Sequence, residues 1–165
     1  MINIGDVVIY GTNGVCRYNG TVKKKTALGM SEYYEFEALR DSGNKMYMPS
    51  SFSVDEKVRT ALSRDDALAI VESVLKEESL EFDGDESRRE QLSAMLKSNN
   101  SADAVRVVKS LITLQKSRQK RGNKLHSADE RMLRLAKRLV DDELAYSLEI
   151  SPDDVENFIK SKLKY

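Results

Sequence analysis

The sequence predicts a protein of the α+β class, with a small N-terminal β-barrel followed by an all-α helical bundle. Two observations lead to this prediction. Residues 1–60 contain short runs of alternating apolar and polar residues, separated by turns rich in Gly, Asn and Ser. From Ser63 onward the apolar residues recur every three or four positions, as they do on one face of a helix. We therefore expect two domains, residues 1–60 and residues 61–165.

Four segments of the first domain are expected to be strands. In the third of them, Tyr34, Phe36 and Ala38 alternate with more polar neighbours and are predicted to share one face. Several short strands within sixty residues favour a closed barrel, which removes exposed sheet edges. The predicted strands are residues 6–10, 14–22, 31–39 and 45–49.

Polar residues just ahead of the apolar stripes predict where the helices begin. Ser63 with Asp66 resembles a capping box, and the same spacing recurs at two later serines. Gly122 is expected to end the helix that precedes it. The last helix is expected to begin at Ser151–Pro152 and to have an apolar face that includes Leu163. The predicted helix starts are Ser63, Ser87, Ser101, Ser127 and Ser151–Pro152.

The charges are unevenly distributed along the chain. The 27 basic and 27 acidic residues sum to a net charge of zero. However, residues 88–140 contain fourteen basic and only four acidic residues, whereas residues 65–86 contain nine acidic residues and one basic residue. This segregation indicates a surface for a polyanion. The alternative is an ordinary solvated helical surface whose charges are balanced by neighbours in the fold.

Catalytic and metal-binding patterns are not evident in the sequence. One histidine, His126, and one cysteine, Cys16, cannot supply a structural zinc site. The glycine-rich turns lack the lysine and the strand–loop–helix context of a phosphate-binding loop. We therefore expect a non-enzymatic protein without a cofactor or metal.

Location in the cell is predicted from the absence of two signals. The sequence has no apolar run of about 18 residues, which a membrane-spanning helix needs. Its start has neither the positive region nor the cleavage site of a signal peptide. We expect a cytoplasmic monomer without membrane contact.

Two stretches of the sequence resemble the CarD/CdnL family. Gly5–Asp6, Val7–Val8, Tyr10 and Gly14–Val15 are similar to the strand–turn–strand start of that family. Residues 102–145, with Ser127, Glu130 and Arg131 among others, resemble its C-terminal helix pair. The first stretch is also similar to the polymerase-interacting module of the transcription-repair coupling factor. The resemblance covers about residues 1–147 and implies a Tudor-like barrel joined to a helical domain.

The resemblance implies a bacterial transcription regulator whose barrel binds the β subunit of RNA polymerase, which would place the bound protein at the nucleoid. The basic residue that the family uses in its second hairpin aligns with Lys25. The family has an arginine where this chain has Tyr47, and we expect Tyr47 to pack against the polymerase as an amphipathic residue.

The resemblance also implies that the helical domain binds double-stranded promoter DNA along the upstream edge of the transcription bubble and modulates the stability of the open complex. Arg88 and Arg89 are expected at a helix N-terminus, where they would bind phosphates of the DNA backbone, with Lys124 and Arg131 nearby. The family has a tryptophan directly before this arginine pair's serine, where this chain has Glu86. This difference supports an alternative function, a polymerase-binding interaction module without functional DNA contact.

Overall fold

The computed structural model describes residues 1–163, with side chains as far as Ser161. The chain forms two compact units, of which the first is Met1–Ala61 and the second begins at Leu62. The first unit contains a five-stranded antiparallel sheet and the second is helical. The predicted α+β class is therefore confirmed.

The sheet of the first unit is built mainly from consecutive hairpins. Its strands lie in the order β4–β3–β2–β1–β5, and every neighbouring pair is antiparallel. The elements of this unit are β1 Val7–Ile9, β2 Val15–Thr26, β3 Gly29–Ala38, β4 Lys45–Pro49, α1 Val54–Lys57 and β5 Arg59–Thr60.

One face of the sheet holds the apolar core of the unit. Phe36 on β3 is fully buried, and its ring packs against Tyr10 and Tyr18 at centroid separations of 5.0 and 5.4 Å. Tyr34 packs against the same cluster and Ala38 is buried. The predicted inward face of β3 is thus confirmed, and it follows from the two-residue period of a strand.

The structure differs from the predicted strands at two places. Strand β2 extends to Thr26 through three lysines that have no apolar alternation, because each of them pairs with a residue of β3. Helix α1 and strand β5 were not predicted. They are short, but β5 completes the sheet beside β1, and the adjoining Val58 is buried in the core.

The second unit consists of helices whose apolar residues form two clusters. Val71, Leu144 and Val155 belong to the first cluster, and Leu92 and Leu111 to the second. Burying such side chains is the main contribution to the stability of a bundle of this size. The helices are α2 Arg64–Lys76, α3 Asp85–Lys97, α4 Ser101–Lys120, α5 Ser127–Leu148 and α6 Val155–Leu163, the last preceded by a 3₁₀ turn over Pro152–Asp154.

Two of the predicted helix boundaries are confirmed, at Ser63 and Gly122, and the predicted cap Ser151 starts a 3₁₀ turn that leads into α6 at Val155. The Ser63 hydroxyl accepts a hydrogen bond from the Asp66 backbone N–H at 3.1 Å, and the Ser151 hydroxyl accepts one from the Asp153 N–H at 3.4 Å. Gly122 directly follows Arg121, the C-cap residue of α4. Its φ is 76°, a left-handed conformation that glycine adopts without strain. The side chain of Leu163 lies outside the described residues.

Three predicted cap residues were wrong by one to three positions, although α4 and α5 begin at the predicted Ser101 and Ser127. Helix α3 begins at Asp85 after the cap residue Gly84, so Ser87 lies inside the helix. Helix α4 is capped by Asn100, whose side chain accepts the Asp103 N–H at 3.2 Å, and helix α5 follows the cap residue His126. In each case a serine near the boundary lies within the first turn, where its hydroxyl does not bond the backbone N–H that a cap would bond. The serines concerned are Ser87, Ser101 and Ser127.

No helix within the described part of the chain is long and apolar enough to span a membrane.

Candidate functional site

The two residues predicted to bind polymerase lie on opposite faces of the sheet. Lys25 pairs with Met30 across the β2–β3 hairpin, whereas Tyr47 on β4 pairs with Glu35. Glu35 and Met30 are five positions apart on one strand without a bulge between them, so they point to opposite sides. The structure therefore does not bring Lys25 and Tyr47 together.

Lys24 contacts Tyr47 in place of Lys25. The Lys24 Nζ lies 3.2 Å from the centroid of the Tyr47 ring, an arrangement that favours a cation–π interaction. The two side chains share the outer face of the sheet with Tyr33, which pairs with Pro49. Lys24 was missed by the sequence analysis, because the pattern of three consecutive lysines does not reveal which of them faces an aromatic residue of another strand.

Arg88 is held inside the helical unit by two carboxylates. Only 7% of its surface is exposed, and its Nη1 and Nη2 atoms each lie 2.7 Å from a carboxylate oxygen, of Asp85 and Asp129 respectively. The prediction gave Arg88 a phosphate of DNA as its partner. With both Nη atoms already bound and the side chain buried, the geometry favours a structural role that joins α3 to α5.

Arg89 binds the same acid from the solvent side. Its Nε and Nη2 atoms lie 3.2 Å from the two carboxylate oxygens of Asp129, and about a third of its side chain is exposed. Burial alone raises the pKa of the fully buried Asp129, but hydrogen bonds from Arg89 and Arg88 outweigh that effect and lower it. Asp129 is therefore ionised, and each arginine has a negative partner.

The predicted anion-binding helix terminus is also different in the structure. Since α3 begins at Asp85, its first turn contains Asp85 and Glu86, and the arginine pair follows one turn later. Glu86 is exposed to solvent. Two carboxylates near the positive end of the helix dipole stabilise the helix and repel phosphate. The Nε2 atom of His126, the cap residue of α5, lies 3.9 Å from a carboxylate oxygen of Asp85.

Lys124 lies in the connection between α4 and α5, and Arg131 lies in the second turn of α5. Both side chains are exposed. The Lys124 carbonyl oxygen accepts a hydrogen bond of 2.7 Å from Arg118 Nε, which fixes the connection against the end of α4. Three further exposed cations flank this connection. We call the group the α4–α5 basic cluster; its members are Lys116, Lys120, Arg121, Lys124 and Arg131.

The cations of the α4–α5 basic cluster differ from others in the helical unit in that they are not paired with described carboxylates. Among the side chains that the structure describes, no carboxylate lies within ion-pair distance of its five members. By contrast, Arg106 in the middle of α4 binds both Glu77 and Asp103 at 2.8 Å. Four of the five members, all except Arg131, fall within positions 116–124, and this dense group of basic residues is the sequence signal for the cluster.

Cys16 and the acidic residues offer no sign of activation. Burial raises the pKa of the Cys16 thiol to about 11, so the side chain is protonated at neutral pH. Within the described residues, no group of His, Cys, Asp and Glu side chains could hold a metal ion.

Comparisons with protein families agree with the two-part architecture. Residues 2–55 match the CarD-like/TRCF RID domain, and residues 70–160 match the CarD C-terminal domain. No curated protein matches the chain significantly. The two matches lie within the sheet unit and the helical unit, respectively, and the second alone spans more than half of the sequence. The chain belongs to the CarD family, which indicates bacterial transcription regulation through interaction with RNA polymerase.

Proposed function

We propose that the protein binds the β subunit of RNA polymerase through residues 1–60 and the phosphate backbone of double-stranded promoter DNA through residues 61–165. Bound in this way at the upstream edge of the transcription bubble, it modulates the stability of the open complex. The observation that carries the DNA part of this proposal is the α4–α5 basic cluster.

The α4–α5 basic cluster contains only exposed Lys and Arg side chains, which is the composition expected of a surface that contacts phosphates. Its members are Lys and Arg side chains on two helix ends and the connection between them, all exposed. Such a group can neutralise phosphates of a duplex, and binding then releases condensed counterions. Of the four predicted DNA-binding residues, Lys124 and Arg131 belong to the cluster. Arg89 retains a partly exposed guanidinium, and Arg88 contributes by holding α3 against α5.

Sequence-tolerant binding follows from the same chemistry. Lysine ammonium groups bind phosphate as point charges and do not read base edges. Specificity for promoters would then come from the polymerase, which holds the helical unit close to the DNA and raises its local concentration. A weak intrinsic affinity for DNA is sufficient under these conditions.

A second function is favoured by the first turn of α3. Glu86 stands where the family has a tryptophan, and an exposed carboxylate is repelled by phosphates. Together with the burial of Arg88, this supports a module that binds polymerase without functional DNA contact. The two functions differ in whether the α4–α5 basic cluster affects the affinity for DNA.

The test measures binding of the full chain to a fluorescent promoter duplex at several salt concentrations. Lys120→Ala, Arg121→Ala and Lys124→Ala should each weaken binding on unrelated sequences alike. Each should also reduce the slope of log affinity against log salt by about one. Lys97→Ala is the matched control. This exposed lysine ends α3, beside the start of α4, and α4 extends about 30 Å from there to the cluster.

Loss of affinity confined to the cluster variants supports the DNA-binding function. Equal affinities for the three cluster variants, the control and the wild type would instead support the interaction module. A strong preference of the wild type for one duplex among several of equal length would contradict phosphate-dominated binding.

A further inference from the structure

The β2–β3 hairpin extends beyond the rest of its sheet. Pairing of β3 with β4 ends at Tyr33, and pairing of β2 with β1 ends at Arg17. Residues 24–31 therefore form a ribbon whose two strands pair only with each other among the described strands. Its length is about 15 Å at the usual rise of a strand. We call this ribbon the hairpin arm.

The end of the hairpin arm is apolar and exposed. Leu28 is fully exposed and Met30 is 65% exposed, which is unusual for large apolar side chains. Isolated two-stranded ribbons are marginally stable, and exposed apolar groups at the end of one add no stability. These side chains are suited to burial against a partner.

The turn at the end of the arm holds Leu28 in place. The Thr26 hydroxyl donates a hydrogen bond of 2.9 Å to the Gly29 carbonyl and accepts one of 3.3 Å from the Leu28 N–H. Gly29 has a φ of 113°, which glycine adopts without strain. Because the turn is fixed before binding, a partner that buries Leu28 incurs little cost for ordering it.

The positions of the charged residues on the hairpin arm indicate the chemistry of a surface that could bind its end. At the base of the arm Lys23 faces Glu32, and Lys24 lies over the Tyr47 ring, whereas Lys25 is exposed and pairs with Met30. The cations lie along the arm, whereas its last residues are uncharged. An arm that wedges into DNA would need cations around its end, where the phosphates lie. A protein pocket with an apolar floor and an acidic rim is the complementary surface.

We propose that the hairpin arm inserts into an apolar, acid-rimmed pocket of RNA polymerase, with Leu28 as its anchor. This inference rests on the proposed function and adds a contact to it. Lys25 and Tyr47 point to opposite faces of the sheet. Tyr47 lies on β4, outside the hairpin arm, so a polymerase surface that contacts Lys25 must reach the face of the arm opposite to the one that Tyr47 shares. Insertion satisfies that condition.

The experiment measures the affinity of the full chain for purified bacterial RNA polymerase by biolayer interferometry. Leu28→Ser should weaken binding about tenfold, the factor expected for one leucine side chain that is no longer buried. Ala27→Ser is the matched control, since it introduces the same hydroxyl in the same exposed turn, and it should change the affinity less than twofold. Leu28 has no buried surface in the free protein, so the thermal unfolding of both variants should equal that of the wild type.

The outcomes separate this inference from the proposed function. If the wild type binds polymerase and Leu28→Ser binds equally well, the insertion of the arm is refuted and polymerase binding stands. If Leu28→Ser loses affinity for a promoter duplex alone and not for polymerase, the arm is a DNA wedge and the inference is overturned. If the wild type does not bind polymerase, the proposed function fails first.

Discussion

Asp129 joins α3 to α5, and replacing it with asparagine removes the charge while keeping the shape of the side chain. The carboxylate is fully buried and binds Arg88 at 2.7 Å and Arg89 at 3.2 Å. Removing one partner of a buried ion pair costs about 3–5 kcal/mol, and the loss here lies at the lower end because the exposed Asp85 still binds Arg88. We expect Asp129→Asn to lower the free energy of unfolding by about 3 kcal/mol. For a unit of this size that corresponds to a melting temperature lower by about 10 °C or more.

Urea unfolding followed by circular dichroism at pH 7 measures this change. Asp85→Asn is the matched control, because Asp85 binds the same Arg88 from an exposed position. It should reduce the stability far less than Asp129→Asn does. A loss below about 1 kcal/mol for Asp129→Asn, or equal losses for the two variants, would refute the argument that burial makes the Asp129 pair important.

The difference in unfolding free energy between the wild type and Asp129→Asn should also depend on pH. Hydrogen bonds from the arginines outweigh burial and hold the pKa of Asp129 below its usual value in the folded protein. Its contribution to stability is therefore fully present above the ordinary carboxyl pKa of about 4, and it is lost as the pH falls through the lower folded pKa. The difference in stability between the wild type and Asp129→Asn should shrink below about pH 4. A constant difference down to pH 2 would contradict ionisation of Asp129.

Two further predictions concern the proposed interfaces. Tyr47→Ala should weaken polymerase binding by about 1–2 kcal/mol, because it removes both an amphipathic surface and the partner of Lys24; an unchanged affinity in interferometry would exclude this face of the sheet. Glu86→Trp should lengthen the lifetime of heparin-resistant open complexes without changing polymerase affinity, since it replaces an exposed acid with an aromatic wedge. An equal or shorter lifetime would mean that this helix end does not lie at the bubble edge.

The order of strands and helices could be predicted from the sequence because each element carries its own period. The alternation of Tyr34 and Phe36 determines the inward face of β3, and the Ser63 cap determines the start of α2. The capping-box pattern failed at Ser87 because Gly84, three residues earlier, lets the chain enter the helix sooner. Strand β5 has only two residues, too few for any period, and it exists because β1 offers it an unpaired edge.

The candidate sites were harder to predict, because a side chain's partners come from distant parts of the chain. Lys24 and Lys25 are identical in type and adjacent in sequence. Only the register with β3 and β4 decides that Lys24 meets the Tyr47 ring. Similarly, nothing near Arg88 in the sequence indicates that Asp129 will bind it from 41 positions away.

The basic excess of residues 88–140 therefore overstates the charge that is free to attract a polyanion. Arg88, Arg89 and Arg106 are bound by carboxylates, and Lys137 binds Asp141 at 3.0 Å. Lys109 is bound by the carbonyl oxygens of Val74 and Glu77, where its charge offsets the negative end of α2. These cations hold helices together and are poor partners for phosphate. Among the described side chains, no carboxylate lies within ion-pair distance of the α4–α5 basic cluster. The salt dependence of DNA binding should therefore reflect about five phosphate contacts, fewer than the net excess of ten basic residues in positions 88–140 would suggest.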